Sequence, residues 1–130
     1  MGRRHRKSNA PLLLAQALAG ARIGVGIAFL VYPRVARATW LGKSADEPPT
    51  QVVIRSMAAR DIGLGLGGLA ALARDRRDAS RWLAVYALSD AADVVATLGA
   101  GASLPRAGTR LALISGGASA AFSAALARQF

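Results

Sequence analysis

The sequence has 130 residues and no cysteine, which excludes disulfides, thiolate metal centres and a Cys nucleophile. It has one histidine, His5, inside the basic stretch "RRHRK", so a Ser-His-Asp arrangement has no base available in the apolar part of the chain. Aromatic residues make up only 5%, and seven acidic residues face 17 basic ones for a net charge of +10. A chain that used this charge to hold nucleic acid would interleave its Arg and Lys with stacking aromatics. Here the basic residues gather at the ends of apolar segments, so no nucleic-acid partner is expected. The "GLGLGG" run at 63–68 lacks a following Lys and falls inside an apolar segment, so it forms no phosphate loop. "MGRRHR" carries Arg at its sixth position and departs from the myristoylation pattern.

What the chain has in abundance is small apolar residues: 53% of it is hydrophobic and Gly counts 14. This exceeds the usual soluble composition, and Ala and Gly in such numbers are what lets helices approach closely in lipid. Four apolar stretches, 12–32, 51–73, 80–102 and 107–129, each reach the roughly 20 residues that a bilayer requires. Pro11, Pro33, Pro49 and Pro105 stand at or just outside their ends, where proline starts or stops a helix without breaking its ladder. The first stretch follows a basic run like a signal peptide, but it is too long, contains Arg22 and lacks a small-residue cleavage site, so it reads as a retained helix.

The expected architecture is therefore all-α: a polytopic membrane protein, an antiparallel bundle of four transmembrane helices in one domain over 11–130. A basic cytoplasmic tail at 1–10 precedes it. Outside the deep segments, nine Lys and Arg fall on one side (Arg3, Arg4, Arg6, Lys7, Arg74, Arg76, Arg77, Arg81, Arg128) and five on the other (Arg34, Arg37, Lys43, Arg106, Arg110). The excess places both termini in the cytoplasm, and the preponderance of Arg over Lys points to a bacterial inner membrane. The tail is expected to touch anionic lipid. Tyr32 and Trp82 are expected at the interfaces. The longest connection, "PRVARATWLGKSADEPPT", spaces Val35, Ala38 and Leu41 as a short interfacial helix around Trp40 would.

One feature of these segments conflicts with lipid. In "RSMAARDIGLGLGGLAALA" Arg60 and Asp61 lie roughly 15 Å along the second helix, and Arg22 at a similar depth in the first. Asp90 and Asp93 in "WLAVYALSDAADVVATL" reach about the same level. An ionised group at the bilayer centre costs on the order of 2.5 to 3.5 kcal/mol even on lenient scales, so these five must turn inward and meet. With Arg55 the set counts three positive and three negative charges, and the spacing predicts a neutral buried cluster. Tyr86, Asp90, Asp93 and Thr97 share one helical face. Arg60 and Arg22 are expected to pair with Asp90 and Asp93, and Asp61 with Arg55 or Arg22. Close packing is expected along small-residue stripes at Gly20 and Gly24, at Ala59, Gly63 and Gly67, and at Ser115, Ser119 and Ser123.

Three segments, "GARIGVGIAFLVYPRVARATWLG", "RSMAARDIGLGLGGLAALAR" and "WLAVYALSDAADVVATL", resemble in order and spacing the small four-helix membrane proteins of domain-of-unknown-function family 4267. The most specific element is Arg60, Asp61, Leu64 and Gly65, backed by Asp90 and Asp93. The resemblance implies a polytopic membrane protein and brings no reaction or ligand with it. The residues themselves point first to a structural, accessory or assembly module whose Arg/Asp cluster locks the bundle, touching other membrane proteins or itself. A proton-linked carrier, which in so narrow a bundle would need a dimer, and a lipid- or quinone-binding protein use the same buried groups. Asp90 and Asp93 with Asp61 also give a weak divalent-cation pattern that a lipid enzyme would need. No catalytic residue, metal or cofactor is expected.

Overall fold

Proline and one aspartate decide where the helices begin. In the computed structural model, which describes residues 9–130, Pro11 lies in the first turn of α1 (Ala10–Val31), and Pro48 and Pro49 open α2 (Pro48–Arg74). Pro105 immediately precedes α4 (Arg106–Ala127). Proline has no N–H, and in the first turn an N–H would have no partner within the helix. α3 (Arg76–Ala100) starts differently: Asp75, the single residue after α2, accepts a hydrogen bond from the Asp78 backbone N–H at 2.8 Å. These caps set the starts of α2 and α3 three and four residues earlier than the apolar pattern alone. All but the last two residues of the basic tail lie outside the described residues.

The helices run alternately up and down. Arg22 meets Asp61, and the Arg55 side chain meets Leu30, so α1 and α2 are antiparallel. Arg60 meets Asp93 while Tyr86 meets Leu64, and Ser119 meets Asp90 while Ser80 meets Ala127, which gives the same relation for α2 with α3 and α3 with α4. α1 packs chiefly on α2 and α3 chiefly on α4, forming two hairpins that meet along α2 and α3.

The inward seams follow alternating steps of four and three residues. They are Ala15, Ala19, Arg22 and Gly26 on α1; Ile54, Ala58, Asp61, Gly65 and Gly68 on α2; and Ala79, Leu83, Tyr86, Asp90, Asp93 and Thr97 on α3. That spacing belongs to helices crossing at roughly 20° in a left-handed bundle. The strict four-residue stripes do not hold. A step of four overshoots a helical turn by about 40°, so such a stripe rotates off the seam within two steps. Gly20, Gly24, Ala59 and Gly63 accordingly face outward, and a Cβ on any of the three glycines would meet nothing within 4 Å. Gly67 does pack: a Cβ there would lie 2.6 Å from Trp82 Cζ2. On α4, Ser115 is exposed, Ser119 half-buried and Ser123 fully buried.

Tyr86 is the largest fully buried side chain, and Ala15, Ala19, Leu83 and Leu126 surround it. A second cluster, Ala36, Ala45 and Ile54 with Phe29 and Leu41, lies beneath the α1–α2 connection. That connection forms a π-helical turn at Arg37–Leu41 and a 3₁₀ turn at Gly42–Asp46, and it folds onto the start of α4. Gly42 makes the fold-back possible, with φ of +60° and room for a Cβ blocked 2.6 Å away by Pro105 Cγ. The backbone of Trp40 rests against Gly108. Three helical stretches, Ala10–Val31, Arg76–Ser103 and Arg106–Ala127, are long and apolar enough to cross a bilayer. α2 has 27 residues, but Arg55, Arg60 and Asp61 interrupt its apolar content.

Candidate functional site

Charges taken out of water must find partners, and the three helices carrying them supply a connected set. Arg22, 8% exposed, donates from Nη1 to Asp61 Oδ1 at 3.2 Å and from Nη2 to Asp90 Oδ2. Its guanidinium lies 4.5 Å from the centre of the Tyr86 ring, a cation–π contact that supports the cation where water cannot. Tyr86 in turn donates its hydroxyl to the Leu64 carbonyl at 3.0 Å, bonding into the α2 backbone. Ser119 donates to Asp90 Oδ2 at 2.6 Å, which brings α4 into the network.

Arg60 grips Asp93 with both ends of its fork, Nη1 to Oδ1 at 3.0 Å and Nη2 to Oδ2 at 2.6 Å. Such bidentate pairing fixes orientation as well as charge. Asp61 joins the two pairs, because its Oδ1 also accepts from Arg60 Nη2 at 3.4 Å. The expected partnership of Arg60 and Asp61 with different neighbours is therefore modified: they share one weak bond besides their separate ones. Thr97 donates to the Asp93 backbone carbonyl at 2.8 Å and completes the polar face of α3.

Arg55 stands outside this set. Its side chain is exposed, and Nε donates to the Leu30 carbonyl at 3.3 Å. Leu30 lies in the last turn of α1, whose carbonyls have no partner within the helix, so Arg55 satisfies a helix end and leaves the network alone. The network then holds two guanidiniums and three carboxylates, with no balance of three against three.

Beside the network is a cavity of about 360 Å³ between the two hairpins, under the α1–α2 connection. Asp61, Asp93 and Thr97 line its network end. Phe29, Ile54, Met57 and Leu111 make apolar walls, and Ala36, Thr39 and Trp40 close it from the connection. The Trp40 indole N–H is buried and has no acceptor among the described residues. No described residue donates to Asp61 Oδ2, and the Asp61 side chain keeps 22% exposure. Asp90 and Asp93 each turn to a different Arg, and no group of three carboxylates or imidazoles among the described residues is arranged to share a metal ion.

Two parts of this site had no mark in the sequence. Ser119 looked like one member of a packing stripe, yet it is a donor to a buried carboxylate. Trp40 reaches the cavity only because the connection folds against Gly108, a long-range contact without a local sequence signal. Comparison with family models, with curated proteins and with solved structures finds no match for this chain.

Proposed function

We propose that this chain is an integral membrane protein with four spans and both termini in the cytoplasm of a bacterial cell, and that it binds a small amphipathic molecule in the cavity beside its Arg/Asp network. On this reading α2 crosses the bilayer with the other three because its charges are satisfied within the bundle, and the turn around Trp40 lies at the outer interface. The chain would be a member of family 4267. The network keeps its structural work of holding the helices in register and also serves as the polar end of a binding site.

The carrying observation is that Asp61 and Asp93, two members of the network, line a cavity whose remaining walls are mostly apolar. A volume of about 360 Å³ falls in the range of small-molecule sites, roughly 300 to 1,000 Å³. The buried Trp40 N–H without an acceptor also supports an occupant with a polar group.

The test compares the native chain with Ala112→Leu, a variant that fills the cavity from α4. Both are purified in mild detergent and their small molecules extracted and identified by mass spectrometry. We expect a lipid-like or other membrane-soluble molecule at near-stoichiometric amount with the native chain and its loss from the variant, whose thermal stability holds or rises. The same molecules in both samples, or none in either, would leave the network as a lock alone.

A further inference from the structure

The charge count of the network specifies the chemistry of the ligand's polar end. Two guanidiniums, Arg22 and Arg60, serve three carboxylates, Asp61, Asp90 and Asp93. Asp93 uses both oxygens on Arg60, and Asp90 is buried against Arg22 and Ser119. Asp61 shares Oδ1 between the two Arg side chains, no described residue donates to its Oδ2, and Asp61 lines the cavity. Asp90 Oδ1 also lacks a described donor, but Asp90 does not line the cavity, so Asp61 Oδ2 is the free acceptor belonging to a residue of the cavity wall.

We propose that the cavity binds an amphipathic organic cation, a primary or secondary ammonium with an apolar body, whose N–H donates to Asp61 Oδ2. This rests on the ligand-binding reading above and adds the sign of the ligand's charge. A bare metal ion fits poorly, because hard cations take about six or more oxygen ligands and the walls here are Phe29, Ile54, Met57 and Leu111. Those same walls suit an alkyl or aryl body, and Phe29 and Trp40 supply the aromatic surface to which ammonium groups are drawn. An anionic head group would meet a site already one negative charge in excess.

Trp40 makes the test direct. The full chain carrying Trp82→Phe leaves Trp40 as its one tryptophan, and it is reconstituted into phosphatidylcholine vesicles and titrated at neutral pH with n-octylamine, 1-octanol and octanoate. Octylamine is expected to change Trp40 fluorescence saturably, at a concentration about tenfold or more below that for octanol, as a charge-assisted hydrogen bond provides. Octanoate should give no saturable change. Asp61→Asn should abolish the preference for the amine while keeping the octanol response, and Asp61→Glu should restore it. Equal saturation by octylamine and octanol overturns the cation assignment and leaves the amphiphile site intact. Purely linear responses to all three remove both. Should Asp61→Asn fail to fold by circular dichroism, the comparison of the three probes on the unsubstituted site still decides.

Discussion

Replacing Arg22 with methionine is expected to destabilise the bundle by about 3 to 5 kcal/mol, the cost of stranding a buried charge's partners. Methionine keeps much of the length and removes the cation, so packing is a minor part of the effect. The loss should exceed that of Asp90→Asn, and the reason is arithmetic: without Arg22 one guanidinium faces three carboxylates, whereas without the Asp90 charge two face two. The double variant Arg22→Met with Asp90→Leu returns the cluster to its native excess of one negative charge and is expected to recover most of the loss. Arg60 and Asp93 keep 34% and 31% side-chain exposure, against 8% and 11% for Arg22 and Asp90 in their mutual pair, so Arg60→Met should cost less than Arg22→Met. Reversible unfolding in detergent measures all four. Equal costs for Arg22→Met and Asp90→Asn, or no recovery in the double variant, would count against an interlocked network.

The second large effect concerns two glycines two residues apart. Gly65→Val is expected to cost about 3 kcal/mol, at the upper end of overpacking. A Cβ at Gly65 would lie 2.7 Å from the Ala19 carbonyl oxygen and 2.6 Å from Ile23 Cγ1, and a backbone carbonyl cannot rotate away. Gly63→Val meets nothing within 4 Å and should stay within about 0.5 kcal/mol of the native chain. The same unfolding assay reads both. Similar losses at the two positions would mean that α2 is turned differently from the seam described here.

That pair also marks how far the sequence could be read. The ionised residues were legible because a largely apolar helix surface leaves them a single direction: Arg22, Arg60, Asp61, Asp90 and Asp93 were expected to turn inward, and the helical period then brought Tyr86 and Thr97 to the same face. Glycine and serine carry no such penalty on either surface. Gly63 and Gly65 are both compatible with an interface, and only the rotation of α2, set by where the charges point, decides between them. Arg55 shows the limit for charge itself. It lies near the mouth of the bundle, where a long side chain can reach a helix end, so depth alone did not assign it. The cavity was not legible at all, because it depends on the connection from Tyr32 to Glu47 folding onto Gly108 and on two hairpins that do not close completely between α2 and α4.

The central physical claim is that Arg22 from α1 and Asp90 from α3 neutralise each other inside the bundle. Solid-state magnetic resonance on the chain in lipid bilayers, with Arg and Asp side chains labelled, reads this without altering a residue. A through-space contact between the Arg22 guanidinium nitrogens and the Asp90 carboxyl carbon is predicted, with no contact from Arg22 to lipid phosphorus. An Arg22 side chain found against phosphate or bulk water, with no contact to Asp90, would contradict it.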